Sequence, residues 1–358
     1  MILINLIISI SYQQYLDLTF VPDVGLRLND VGIQKAHLDS SGTYYLYYTQ
    51  GPDSGVAISY DGLNFTFVSL QEYPDYRFQT MPNGINRRFF TVLEDNVAYL
   101  KSHSSQTNNN FTLDEGFRYI YPDNDYISSQ NVYSTFFNNN FGEVYMIYLA
   151  GEIDNSRSVK SIENNNGWDF TIYHTNIFAD SILGGGNQSY WDPSAIVLSD
   201  GRPRIFTMNQ HGHPVPPAVP KGTIYSFTSP DEGNTFNQDD GMRLRYDSFQ
   251  EFEVYSLNDP KVILLLDGRY RMYVASMIRT SPDNFIFGIL SATTPNPESL
   301  GDPNLDNNKN VIDIIMIINY ILGSTEFNSL QITLSNVNQN ESVDILDIIL
   351  IVNIILEN

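Results

Sequence analysis

The chain has 358 residues, with 41 acidic against 19 basic side chains and a formal charge of −22. Such a balance repels phosphate backbones and argues against nucleic acid as a partner. Cysteine is absent, which excludes disulfides, zinc–thiolate sites and thiol nucleophiles. The length suits one large domain and one small one.

The chain opens on the apolar run MILINLIISI, and Ser9-Ile10-Ser11 offers a small-residue cleavage site. This predicts a signal peptide over residues 1–11 and a secreted or cell-surface protein, although no Lys or Arg precedes Arg27. No apolar run reaches the ~18 residues of a membrane helix, so no transmembrane segment is expected.

Residues 12–300 read as all-β. Short apolar and aromatic runs alternate with Asp-Gly, Asn-Gly and Gly-rich turns, as repeated antiparallel strands require. The pattern returns every ~45–70 residues, the period of propeller blades. The clearest unit runs from Asp192-Pro193 through Asp200-Gly201 to Arg204-Ile205-Phe206. It matches Asp259-Pro260 through Asp267-Gly268 to Arg271-Met272-Tyr273. Further copies open at Asp75, at Asp30 and near Asn131, which makes five blades. The missing fourth strand of the last blade is expected near residues 15–26, so that the N-terminus closes the ring and removes the sheet edges.

A second signature falls later in each blade. Ser229-Pro-Asp231-Glu-Gly233-Asn-Thr-Phe236 fits the Asp-box pattern, Ser59-Tyr-Asp61-Gly62-Leu-Asn-Phe65 is one residue shorter, and degenerate copies end at Phe111 and Phe170. A short polar side chain bonds the turn, Gly supplies positive φ and the aromatic packs between blades. These boxes mark architecture, not activity.

In this topology Asp30, Asp75, Asp192 and Asp259, with Asn131, ring the top of the central channel. Carboxylates around a funnel suit glycoside hydrolysis, in which an acid and a base act across the scissile bond. The body resembles the five-bladed glycosidases of the arabinanase/xylosidase and invertase types. The resemblance implies an inner-strand Asp as base, a second Asp in the next blade that tunes pKa, and a Glu in the blade after as acid. Asp192 and Asp259 match the first two. The following blade opens with Asp30 rather than Glu, and blade three carries Gln130-Asn131. Glu251 or Glu253, entering blade five, is then the candidate acid. The alternative for every strand-opening Asp is that it caps its own turn.

Other top-face residues are candidates for substrate binding. Arg77, Arg157 and Arg279 would clamp a carboxylate, as in sialidases, although those have six blades and a Tyr/Glu pair. His211 and His213 lie in a long loop and suit metal binding or proton transfer, or simply a polar loop. The 24 Tyr and 21 Phe would stack on sugars, but strands use aromatics anyway.

The last segment, 301–358, is duplicated at a spacing of 34: Asp313-Ile-Ile-x-Ile-x-Asn319-x-Ile-Leu recurs from Asp347. Each copy follows a 12-residue loop with oxygen ligands at the spacing calcium needs. In the first loop these are Asp302, Asn304, Asp306, the Asn308 carbonyl, Asn310 (through water) and Asp313. In the second they are Asn336, Asn338, Asn340, the Ser342 carbonyl, Asp344 and Asp347. Asp at the twelfth position and an Ile/Leu-rich helix behind it resemble a type I dockerin, which implies a cohesin-type partner. Position six departs from the usual Gly: Asn307 tolerates left-handed backbone, whereas Glu341 does not favour it. With two carboxylates against three, the second loop should be the weaker site. The alternative is an acidic, Asn-rich linker before two packing helices.

The chain is therefore expected to be an all-β five-bladed β-propeller followed by a small all-α calcium-loop domain. Its expected function is hydrolysis of O-glycosidic bonds in a poly- or oligosaccharide, with the tail as anchor. The alternative is a non-catalytic glycan-binding or scaffold propeller on the same anchor.

Overall fold

The computed structural model describes residues 18–122, 133–149, 156–161, 166–175, 190–209, 222–338 and 342–357. The expected signal peptide lies outside them. Among the described residues the strands form five antiparallel sheets, the blades of a five-bladed β-propeller, and helices follow them in the chain. From inner to outer strand, blade one is Gly32–Leu38, Tyr44–Gln50, Asp53–Ser59 and Thr66–Val68. Blade two begins at Gln79–Thr80 and continues through Asn86–Glu94, Val97–Ser105 and Thr112–Leu113. Blade three is Tyr133–Asn138, Val144–Leu149, Ser156–Ser161 and Phe170–Thr175. Blade four is Tyr190–Val197, Pro203–Asn209, Thr223–Thr228 and Asn237–Gln238. Blade five is Glu253–Leu264, Tyr270–Ser281 and Asn284–Thr293.

The fourth strand of blade five comes from the N-terminus. Val21 pairs Thr293, and Leu28 pairs Ile289. This N-terminal strand closes the blade as expected, split into Val21–Pro22 and Leu28–Asn29.

The split follows a short repeat that the blade period hides. Asp23-Val-Gly25-Leu-Arg27 recurs as Asp114-Glu-Gly116-Phe-Arg118 and Asp239-Asp-Gly241-Met-Arg243. The three glycines have φ of 87°, 71° and 71°, which breaks the outer strand. Each Asp accepts a hydroxyl from the third strand, Ser291, Ser102 or Ser226. Each Arg is buried and donates back to the carbonyl of Val24, Glu115 or Asp240. Second-strand arginines complete two copies: Arg87 meets Asp114 at 2.7 Å and Arg204 meets Asp239 at 3.4 Å.

The core lies between blades rather than within them. Leu46, Ala57, Ile263, Tyr273 and Ile289 join blades one and five, and Met81, Leu100, Met146 and Phe170 join two and three. The second strand of blade four is covered on both faces: every residue of Pro203–Asn209 is buried. The Asp-box aromatics pack on the preceding blade. Phe236 meets Phe137 edge-on at 6.4 Å and Phe65 meets Tyr273 at 5.8 Å. Within the box, Asp231 holds the Thr235 amide at 2.7 Å, and Ser229 Oγ accepts from Gly233 at 2.7 Å.

The C-terminal segment holds α1 (Val311–Ile321), α2 (Ser329–Ser335) and α3 (Ile345–Glu357). α1 and α3 follow the two loops as expected. α2 is an addition, opened by a capping box in which Asn328 and Gln331 hold each other's amides. Ile317, Val337, Ile348 and Ile351 form this segment's own core. Among the described residues no helix is long and apolar enough to cross a membrane.

Candidate functional site

The five inner strands enclose a cavity of about 1050 Å³. Its polar lining includes Gln34 and Lys35 from blade one, Arg77 and Gln79 from blade two, and Thr135 from blade three. Asp192 and Ser194 come from blade four, and Asn258, Asp259 and Lys261 from blade five. Arg87 and Arg88 reach it from the second strand of blade two and His103 from the third. Asp192 and Asp259 are the only carboxylates among these lining residues.

The two are brought together. The protonated Asp192 carboxyl donates to the Asp259 carboxyl, and Asp192 also accepts from the Asp259 amide. Burial, then the adjacent Asp259 charge, push the Asp192 carboxyl well above the usual range, with Lys261 opposing. The neighbouring Asp259 charge disfavours ionisation of Asp192. Both have left-handed backbone, with φ of 53° and 48°, immediately before a proline. Such conformations cost about 1–3 kcal/mol each and persist where the surrounding fold imposes them, often at functional sites. In blade four the imposing feature is a bulge: the pairing slips between Trp191 and Ser194, across Asp192-Pro193.

The remaining candidates are dispersed. Asp30 shares the left-handed backbone, with φ of 58°, but is exposed and does not line the cavity. The bulge of blade one falls between Ile33 and Lys35, so Gln34 takes the place of an acid. Asp75 sits behind the lining, where it accepts from Arg77 Nε at 3.1 Å and Arg88 Nη1 at 2.8 Å. Burial opposes its ionisation, but Arg77 and then Arg88 hold it below the ordinary carboxylate range. Glu253 is exposed outside the cavity and pairs with Arg279 at 3.0 Å, and Arg279 also meets the Tyr255 hydroxyl. Glu251 accepts the Gly25 amide at 2.7 Å. Of the three arginines expected to clamp a carboxylate, Arg77 reaches the cavity and Arg279 does not. His211, His213, Asn131, Asn340 and the Arg157 side chain lie outside the described residues.

The first C-terminal loop is drawn in around its acids. Asp302 and Asp313 are 2% and 0% exposed. Asp302 accepts the Asp306 and Asn307 amides at 3.2 and 2.9 Å, and Asn307 has φ of 63°, the left-handed turn expected at position six. Asp313 Oδ2 takes the Asn310 amide at 2.9 Å, whereas its buried Oδ1 meets no donor at hydrogen-bond geometry. Burial, then the charges of Asp302 and Asp306, raise the Asp313 pKa. Asn310 Oδ1 caps α1 by accepting from Ile312 at 2.7 Å. In the second loop both Asp347 oxygens are engaged, by the Asn338 and Asp344 amides at 2.8 Å each. Among the described residues no three acidic, His or Cys side chains converge as a metal cluster. A calcium loop adds amide and backbone oxygens to its carboxylates. Buried, mutually repelling acids with an orphaned oxygen fit such a cation at loop one.

Residues 300–356 match the dockerin type I domain family. No curated protein matches the chain. Among solved structures, the propeller is similar to one described as a glycoside hydrolase. The TM-score is 0.57 and the identity 14%, over 80% of this protein and 95% of that one. A thermostable family-43 glycoside hydrolase aligns at TM-score 0.48 and 12% identity, over 75% and 91%. An exo-1,5-alpha-L-arabinanase from a bovine ruminal metagenomic library aligns at 0.48 and 10%, over 75% and 94%. The C-terminal segment is thus a dockerin type I domain, carried behind a five-bladed propeller of the fold found in glycoside hydrolases.

Proposed function

We propose that this protein is exported, hydrolyses glycosidic bonds in a polysaccharide within its central cavity, and is anchored by its dockerin domain to a cohesin-type partner outside the cell. The observation that carries the reading is the Asp192–Asp259 carboxyl pair lining an open cavity of about 1050 Å³, with the Asp192 pKa raised. Asp192 keeps its proton to higher pH than an ordinary carboxylate, which suits a general acid. It would deliver that proton to the leaving oxygen as the anomeric C–O bond breaks. Water then adds to the anomeric carbon and returns a proton to the pair. The Asp259 carboxyl beside it would stabilise the developing positive charge. Asp30, Asp75 and Glu253 have no role in this scheme.

Asp302, Asn304, Asp306, Asn308 and Asp313 would hold calcium in the first loop, and the ion would fasten the loop to α1. In the second loop Asn336, Asn338, Ser342, Asp344 and Asp347 would do the same with fewer charges. The exposed apolar residues of α1 and α3, among them Val311, Ile312, Ile315, Ile345, Leu346 and Ile349, suit burial against the cohesin-type partner.

One observation favours a binding propeller instead. Asp192 and Asp259 are in hydrogen-bond contact, nearer than the roughly 5–9.5 Å that two-carboxylate hydrolysis spans. Full-length protein and Asp192→Asn, assayed against a panel of plant and algal polysaccharides, separate the readings. Turnover by wild type that disappears in Asp192→Asn supports hydrolysis. Binding without turnover by either supports the second reading.

A further inference from the structure

The wall of the cavity built by blades one and two is cationic, although the chain as a whole carries −22. Lys35, Arg77 and Arg88 surround a single acid, Asp75, so two positive charges there are unmatched. The other charged lining groups are compensated. Arg87 is paired with Asp114, and Lys261 faces the Asp192–Asp259 carboxyls.

The donors of this wall are not used up within the protein. Arg88 reaches Asp75 through Nη1 at 2.8 Å, and its buried Nε has no partner. Arg77 spends Nε and Nη2 on Asp75 and reaches only the Gln34 amide oxygen, at 3.2 Å, with Nη1. Lys35 Nζ donates to the Phe78 carbonyl at 2.7 Å and meets no carboxylate directly. Burial, with Asp75 opposing, lowers its pKa to about 8, so it is charged at neutral pH but poorly compensated. The guanidinium of Arg88 lies 3.7 Å over the Phe111 ring, which fixes its plane. Phe78, Phe89 and Phe136 line the same side and offer apolar faces.

We propose that Lys35, Arg77 and Arg88 form a subsite for the carboxylate of a uronic-acid residue, so that the glycan taken into this cavity is an acidic one. Planar, fork-like donors match a carboxylate, and a preset excess charge is worth most where water is excluded. The sugar ring then lies on the aromatic side chains. The proposal rests on the reading of the cavity as a glycan site and narrows its substrate.

The test is calorimetric titration of the full chain with four probes of equal length: a galacturonic-acid oligomer, its methyl ester, a neutral galactose oligomer and a sulfated galactose oligomer. The free-acid oligomer should bind at least tenfold more tightly than its ester and than the neutral oligomer. Arg88→Gln and Lys35→Met should each erase about 10- to 100-fold of that preference, the weight of a charge-assisted contact. Two variants on different strands guard against one that fails to fold, and both should keep the far-ultraviolet spectrum of wild type. Equal binding of acid, ester and neutral oligomers overturns the subsite but leaves the glycan reading intact. Tighter binding of the sulfated oligomer overturns the uronate assignment. Failure of all four probes to bind overturns the glycan reading and the subsite together.

Discussion

Ser291 Oγ donates to Asp23 Oδ2 at 2.6 Å across 268 residues of sequence. The same contact recurs at Ser226 and Asp239 at 2.6 Å, where the two lie only 13 residues apart. In blade five it is therefore made by the two ends of the propeller, and it helps fasten the ring. Ser291→Ala should lower stability by about 1 kcal/mol or somewhat more, the cost of taking a donor from a half-buried carboxylate. Urea unfolding of full-length protein checks this. Ser226→Ala, a local contact, should cost a similar amount at equilibrium but speed unfolding less, because it does not hold the closure.

Gly233 sits in the Asp-box turn at φ 100°, and a Cβ there would lie 2.8 Å from the Phe137 ring. Gly233→Ala should destabilise blade four by about 1–3 kcal/mol through backbone strain alone. Phe236→Ala, which empties a fully packed site, should cost about 3–5 kcal/mol. Thermal melts of the two variants should fall in that order.

The folded-state pKa of Asp192 is raised, so it binds protons more tightly in the folded than in the unfolded state. Its favourable contribution is therefore complete below the ordinary carboxylate pKa and is lost as pH rises through its folded value. Asp192→Asn, whose side chain also tolerates left-handed backbone, should match wild type in acid. It should exceed wild type in melting temperature at higher pH. Melts across a pH series measure the difference, and a constant offset at every pH would contradict it.

Calcium should act unequally on the two loops. The buried Asp313 Oδ1 meets no donor at hydrogen-bond geometry, whereas both Asp347 oxygens hold backbone amides. Asp313→Asn should cut calcium affinity about tenfold or more by removing ligand charge. In chelator it should raise stability, because its raised pKa marks a carboxylate that the apo loop disfavours. Asp347→Asn should lower stability with or without calcium. Isothermal titration and melts of the full chain separate these effects.

Much of the fold is legible because its signals are local. Asp-Gly and Asn-Gly turns, strand alternation and Asp-boxes each lie within one hairpin, and the calcium loops carry their ligands within twelve residues. The site was harder to read because it depends on register. Asp30 looks like Asp192 in sequence, yet the bulge of blade one falls at Gln34 and leaves Asp30 outside the cavity. The Asp-x-Gly-x-Arg repeat was within reach of a self-comparison, but one copy precedes the first blade and so breaks the period. Lys35, Arg77 and Arg88 belong to two blades, and nothing local shows that they gather around one carboxylate, which only the two arginines contact. The short α2 carried only its capping residues as a signal.

The central claim is that the Asp192–Asp259 pair cleaves a glycan. Its most direct test is reducing-sugar release from acidic and neutral polysaccharides by full-length wild type, Asp192→Asn and Asp259→Asn, each shown to melt cooperatively. The account predicts release by wild type and a loss of at least a hundredfold in both variants, of the size expected for removing a general acid. Release at the wild-type rate by a folded Asp192→Asn would contradict it.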